Sequence, residues 1–204
     1  MAHSQTLSLV GASPLIFRFC SIVDIVAVHR FYFSLSDNTR HFFHPTFFQK
    51  ARNFVWLRDE ALLLLSAIAG VRKILVRINP IMVYFPLVAL DSKQEIVAFM
   101  FFKIRRRLNR SGFEAEHGIV VRDDYQCKGL GYQLLILGNE FAKTNGIQRL
   151  YSLVDAENSR MIHLYQRFGF KKVSLVRRKN RDAGTNYQAY EMICQLREVK
   201  GNRR

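Results

Sequence analysis

Gln126-Cys127-Lys128-Gly129-Leu130-Gly131 follows an apolar run, Ile119-Val120-Val121, and leads into a segment with Leu130, Leu134, Leu137 and Phe141 on one helical face. A strand, a glycine turn and an amphipathic helix in that order form a phosphate-binding arrangement. The first turn of a helix has unpaired N–H groups, and its dipole favours negative charge. Glycines at 129 and 131 carry no side chain to keep an anion from those groups. Lys128 adds a positive charge beside them. A lone Gly-x-Gly also occurs in ordinary turns, so its surroundings must decide. The dinucleotide fingerprint needs a third glycine, but Leu134 occupies its place. The P-loop pattern fails as well, because no Gly-Lys-Ser/Thr follows.

Outward from this stretch, helix and strand signals alternate. Gly146 lies past the end of the predicted helix Leu130–Thr144. Leu150–Val154 is predicted as a strand, Asn158–Phe168 as a helix closed by Gly169, and Phe170–Val176 and Tyr187–Leu196 as strands. On the N-terminal side, Glu114–Val121 reads as a strand and Arg105–Gly112 as a basic loop. Leu87–Leu90 and Ile96–Ile104 form a hairpin around Asp91, Ser92 and Lys93. Ile16–Ser34 mixes a short strand with a helix starting near Asp24. Leu35–Pro45 reads as a turn-rich connection, and a helix lies within Phe47–Gly70. Strand-helix-strand units demand parallel pairing and hairpins antiparallel pairing. The expectation is an α/β (α+β) fold: one mixed, mostly antiparallel sheet of six to seven strands with helices on both faces. One domain is expected over residues 1–204, with its core at about 16–196.

The chain has 204 residues, 49% of them hydrophobic, which suffices for a core without staples. Three cysteines, Cys20, Cys127 and Cys194, form no CxxC pair, so neither a disulfide framework nor a zinc site is expected. No Lys or Arg precedes the first apolar stretch, so no secretory leader is expected. Ala61–Val71 is too short to span a bilayer, which takes ~20 residues. A cytoplasmic protein without membrane attachment is the expectation. The net charge is +15, which attracts anions: nucleotide cofactors, acidic proteins, RNA or anionic membrane.

Gln126-x-x-Gly129-x-Gly131 resembles the cofactor signature of the GNAT N-acetyltransferases. Gly118 to Leu135 is similar to that family's strand, loop and helix. Asn158 opening a helix, with Leu164-Tyr165 and Gly169-Phe170 after it, resembles its second conserved block. The resemblance runs over roughly Phe17–Leu196. Phe33 to Pro45, and Ala115-Glu116 before the cofactor strand, more weakly resemble the GNAT domains of bacterial protein-lysine acetyltransferases. Asn79 to Pro86 has no counterpart.

The resemblance implies acetyl-CoA as cosubstrate, no metal, and a primary amine of a protein or small molecule as acceptor. It implies that the backbone of Ile119, Val120 and Val121 meets the pantetheine arm. The pyrophosphate would lie on the amides of Gln126, Cys127, Lys128, Gly129, Leu130, Gly131 and Tyr132. Asn158 would contact the cofactor, and Tyr165 would lie near the sulfur as candidate acid.

Acetyl transfer needs a neutral amine, and at pH 7 only about one lysine-like amine in 2,500 is neutral. A base raises that fraction. Glu116 is the candidate base, sharing one strand face with Glu114, while Ala115 and His117 take the other. The plain reading of Glu116 is a solvated strand end, and that of Tyr165 is packing with Met161 and Phe168. His117 and Trp56 read as packed residues, and an acyl-carrying role for Cys127 is not expected.

Two basic clusters remain: Lys103, Arg105, Arg106, Arg107 and Arg110; and Lys171, Lys172, Arg177, Arg178, Lys179 and Arg181. They read as solvated faces or as contacts for the CoA 3′-phosphate or an acidic partner. Alternatives to the enzyme are a non-catalytic acyl-CoA sensor and a basic nucleic-acid-associated protein; no nucleic-acid motif is visible. A homodimer is an open form.

Overall fold

The computed structural model describes residues 5–7, 14–43, 45, 48, 54–68, 83–106, 113–179 and 184–196. Their strands are β1 (Gln5–Leu7), β2 (Leu15–Phe19), β3 (Val83–Leu90), β4 (Ile96–Arg106), β5 (Phe113–Val121), β6 (Ile147–Asp155), β7 (Lys171–Lys179) and β8 (Asn186–Gln195). The helices are α1 (Ile25–Ser34), α2 (Asp37–Phe42), α3 (Phe54–Ala67), α4 (Leu130–Thr144) and α5 (Ser159–Arg167). The strands form one sheet in the order β1-β2-β3-β4-β5-β6-β8-β7, in which only β5 and β6 are parallel.

The sheet separates two apolar clusters. One joins Phe102, Ala115 and Ile119 to Leu130, Leu134 and Leu135 of α4 and to Ile162 and Tyr165 of α5. The other joins Phe99, Phe101 and Val120 to Val28 and Phe31 of α1 and Leu63 of α3. Alternate residues along a strand face opposite sides, so Phe101 and Phe102 belong to different clusters. Each large side chain so enclosed contributes roughly 1.5–3 kcal/mol of burial free energy. The strands β3 and β4 are thus covered on both sides, which explains the apolar runs over Val83–Leu90 and residues 96–102.

The expected α/β (α+β) fold forms: a mixed, mostly antiparallel sheet with helices on both faces, to whose seven main strands the three-residue β1 adds an extra edge beside β2. Two details differ from the expectation. The connection predicted over Leu35–Pro45 contains a helix, α2, whose N-cap Ser36 accepts from Thr39 N–H at 3.2 Å. The strand predicted from Leu87 begins at Val83 and runs through Pro86. Pro86 is tolerated because its own carbonyl faces the β2 side, where it accepts from Cys20 N–H just beyond the last β2–β3 pair, Phe19↔Leu87. Its missing N–H therefore falls where no partner strand continues.

The helices α4 and α5 lie where the spacing predicts them, β5 and β6 extend slightly beyond their predicted segments, β7 starts one residue later and ends at Lys179, and β8 is shifted by one residue to Asn186–Gln195. Arg105 and Arg106 end β4 instead of opening a loop. Residues 107–112, Gly70, Asn79 and Arg181 lie outside the described residues.

Candidate active site

The register between β5 and β6 stops early. Phe113 pairs with Ile147, Glu114 with Arg149, Ala115 with Leu150 and Glu116 with Tyr151. Beyond Glu116 and Tyr151 the two strands part, while β5 stays paired with β4 up to Val121 and β6 stays paired with β8 up to Asp155. A notch opens in the middle of the sheet, and among the described residues no strand lies beside the facing edge of β5 from His117 to Val121. Backbone groups on such an edge need other partners. Ile119 and Val121 alternate with His117 onto this edge, whereas Val120 turns its backbone toward Phe99 of β4, against the expectation for it; the Val121 carbonyl already accepts from Gln126 Nε2 at 3.0 Å.

Three side-chain links span the two strands at the closed end of the notch. Arg149 pairs with Glu114, Tyr151 Oη lies 3.5 Å from Glu116, and Ser152 Oγ donates to the His117 carbonyl at 3.0 Å. The Tyr165 hydroxyl lies 3.4 Å from the same Ser152 oxygen.

The glycine loop follows β5 after a short 3-10 turn, Asp123–Tyr125. Cys127 and Gly129 both take positive φ, +61° and +82°. A Cβ on Gly129 would meet nothing within 4 Å, so the residue is required for its backbone conformation rather than for space. The first helical bond of α4 runs from Gln133 N–H to the Gly129 carbonyl at 3.1 Å. The amides of Leu130, Gly131 and Tyr132 precede it and are left for a ligand. Cys127 and Lys128 are exposed at the loop, and the Lys128 ammonium lies 5.4 Å from the centre of the Tyr125 ring. Tyr132 packs its ring on Phe168, with Arg167 over it. This loop suits a pyrophosphate: free amides, a helix dipole and positive charge converge there.

The two candidate catalytic groups lie on opposite sides of the sheet. Glu116 is half-buried and shares its face with Gly118, against which Phe101 and Phe43 pack. A Cβ at Gly118 would lie 2.5 Å from Phe101, which accounts for a glycine inside the strand. Tyr165 projects from α5 onto the other face, 2% exposed, against Phe170 and His117. Burial pushes its hydroxyl up to about 12, with the Ser152 contact opposing. His117 stacks on Phe102 in the same cluster, and burial pushes it down to about 4 despite an opposing contribution from the Tyr151 backbone. A neutral, packed imidazole agrees with the packing expectation.

Asn158 caps α5, its side-chain oxygen accepting from Met161 N–H at 3.1 Å. Only its amide nitrogen is left to reach outward. Asp155, at the open end of β6, is buried, accepts from Glu157 N–H at 2.9 Å and lies 3.9 Å from His41 Nε2 of α2. Neither Asp155 nor His41 was marked by the sequence; no motif signals either, since the fold brings them together. Lys171, Lys172, Arg177, Arg178 and Lys179 are exposed on β7, an edge strand separated from the notch by β8. Charges there protect an open sheet edge from pairing with another chain. Among the described residues no group of His, Cys, Asp and Glu is arranged to hold a metal ion, and no helix is long and apolar enough to cross a membrane.

The family model described as "Acetyltransferase (GNAT) family" matches residues 50–170, more than half of the chain. The chain belongs to the GNAT acetyltransferase family. A curated relative, the L-methionine sulfoximine/L-methionine sulfone acetyltransferase of Pseudomonas paraeruginosa, is 33% identical over 85 residues. That match covers 42% of this chain and 49% of the relative, so the chain spans about half the length of the curated relative. The ribosomal-protein-S5-alanine acetyltransferase of Vibrio fischeri superposes with a TM-score of 0.68 at 13% identity, covering 95% of this chain and 97% of its own. Spermidine N-acetyltransferase from Vibrio cholerae, solved with CoA and spermine, superposes with a TM-score of 0.62 at 16% identity, covering 89% and 95%. At these identities the solved structures speak for the GNAT fold, and the eight-stranded sheet with its notch is this chain's form of it.

Proposed function

We propose that this GNAT chain transfers the acetyl group of acetyl-CoA to a primary amine by direct attack. One observation carries the reading: the notch between β5 and β6 separates Glu116 on one face from Tyr165 and the α4 loop on the other. A cosubstrate with its phosphates on the amides of Gln126 to Tyr132 would extend along the free edge of β5 on the α4 and α5 side. Its thioester would reach the notch, and an amine would approach from the Glu116 side.

The amine nitrogen attacks the thioester carbonyl, the oxygen becomes an oxyanion, and collapse expels a thiolate. Glu116, directly or through water, takes the proton that the ammonium must lose. Backbone N–H groups on the unpaired β5 edge can receive the oxyanion. Tyr165 serves the leaving group. A phenol raised to about 12 yields its proton to a thiolate of ordinary pKa ~8.5 only uphill, so it acts mainly by donating a hydrogen bond to the sulfur. Asn158 would approach the cosubstrate through its free amide nitrogen.

The acceptor face carries the carboxylates of Glu116 and Asp155, whose local negative charge favours an acceptor arriving as a cation although the chain as a whole, at net charge +15, attracts anions. Lysine side chains and polyamines such as spermine both meet that description. Cys20, Cys127 and Cys194 are free thiols, in keeping with a reducing, cytoplasmic setting.

The test is release of CoA thiol from acetyl-CoA in the presence of lysine peptides, N-terminal peptides, polyamines and aminoglycosides. Release with one of these classes, lost in Glu116→Gln, supports the reading. Tight CoA binding without release to any amine would make the chain a binding module, and absence of CoA binding would remove the cofactor assignment altogether.

A further inference from the structure

The helix α2 has no buried residue of its own. A six-residue helix without an apolar face cannot hold its place by packing or by intrinsic propensity. Its first turn is instead fastened to the segment that opens the cofactor loop. Asp123 accepts from Ser36 N–H at 2.9 Å, from Ser36 Oγ at 2.7 Å and from Thr39 Oγ1 at 2.6 Å. Gln126, the first residue of the loop, donates from Nε2 to Thr39 Oγ1 at 3.0 Å and to the Val121 carbonyl at 3.0 Å.

Thr39 is the joint in this set. A hydroxyl has one proton and two lone pairs, and here the proton goes to the Asp123 carboxylate while a lone pair receives the Gln126 amide. The bond to an ionised carboxylate is the stronger kind. The other end of α2 reaches the acceptor face. His41 lies 3.9 Å from Asp155, and Phe43, directly after the helix, packs on Phe101 over Gly118, two residues from Glu116.

We propose that the Thr39 hydroxyl is a positioning group that couples occupancy of the acetyl-CoA loop to the placement of α2, and so to the shape of the acceptor face. The inference rests on the reading that residues 126–132 hold the phosphates of CoA. An anion seated on those amides fixes Gln126; Gln126 and Asp123 then fix Thr39, and α2 carries the constraint to His41 and Phe43. Binding of the cosubstrate thereby prepares the site for the amine. By linkage, a properly placed α2 strengthens CoA binding by the same factor.

The experiment uses the full chain and CoA. Calorimetry measures CoA affinity, and hydrogen exchange follows the amides of residues 37–43 with and without saturating CoA. In the wild type, CoA should slow exchange there on the order of fivefold or more, the usual lower range of such coupling. Thr39→Val keeps the shape but loses both bonds; it should abolish the CoA-dependent slowing and weaken CoA binding by a similar factor. Thr39→Ser keeps the hydroxyl and should preserve both. A merely structural role would raise baseline exchange without removing the CoA-dependent difference.

Bound CoA with no slowing in the wild type overturns the inference while leaving the cofactor reading intact. So does slowing retained in Thr39→Val or lost in Thr39→Ser. Absence of calorimetric CoA binding by the wild type would instead overturn the cofactor reading, and the inference with it.

Discussion

Ser152 Oγ donates to the His117 carbonyl at 3.0 Å, joining β6 to β5 at the first residues beyond their last backbone pair. This bond replaces the ladder where the notch begins, and the Tyr165 hydroxyl meets it at 3.4 Å. Ser152→Ala leaves a carbonyl without that partner in a buried place. A loss of about 1–3 kcal/mol in stability is expected, read from urea unfolding. An unchanged midpoint and slope would show that the bond contributes nothing net.

Tyr165→Phe keeps the ring against Phe170 and His117 and removes only the hydroxyl. A hydrogen bond to a developing thiolate is worth about 1.5–3 kcal/mol, so kcat should fall roughly 10- to 150-fold while CoA affinity stays within a few-fold. Full activity in this variant would reduce Tyr165 to a packing residue.

Glu116→Gln removes the proton acceptor on the opposite face without changing its size. A drop in kcat of about 10²–10⁴-fold is expected, with CoA binding almost unaltered. The variant should also flatten the pH-rate profile where the amine must lose its proton. Turnover equal to the wild type at every pH tested would exclude Glu116 from the chemistry.

The two loop glycines should respond differently. Gly129 sits at φ +82°, so Gly129→Ala introduces backbone strain of about 1 kcal/mol or more whatever space surrounds it. At Gly131 a Cβ would lie 3.5 Å from Leu164, an ordinary contact, so Gly131→Ala should fold with unchanged or slightly raised stability. Thermal melts of the two variants would separate these outcomes; equal destabilisation would contradict the loop geometry.

Burial holds His117 near 4, below its ordinary 6.5. Between those values the unfolded chain binds the proton and the folded chain does not, so stability must rise with pH across that window and be lost as pH falls through it. One such group accounts for a loss of up to roughly 3 kcal/mol from pH 6.5 to pH 4. His117→Phe should remove that slope, and stability curves between those two pH values would reveal a persistent slope if another group were responsible.

The half of the candidate site proposed to hold the cofactor was legible as local structure because its signals are local. A helix that starts at Leu130 and one capped by Asn158 announce themselves by spacing, cap and terminal glycine, and both form where the sequence places them. The acceptor half was not. Asp37-Asn38-Thr39 has the composition of a turn, and the six-residue α2 is too short to show a period. What holds it is Asp123, 84 residues from Thr39 along the chain. Pro86 concealed the first half of β3, because a proline argues for a strand boundary until the end of β2 beside it is seen. Glu116 and Tyr165 could be named from the sequence, yet their placement on opposite faces depends on the register of β4 and β5 and on where β6 departs.

The brevity of the β5–β6 pairing has a mechanical meaning. Four pairs of residues, Phe113↔Ile147 to Glu116↔Tyr151, are the whole backbone seam between two antiparallel plates, β1 to β5 on one side and β6 to β8 on the other. Parallel pairing is slightly weaker per residue than antiparallel. A pull that drew the plates apart would act on this seam, with the Glu114–Arg149 rivet and the Ser152–His117 stitch among the side-chain bonds resisting it. The opening proposed to admit a substrate is also the sheet's natural tear line.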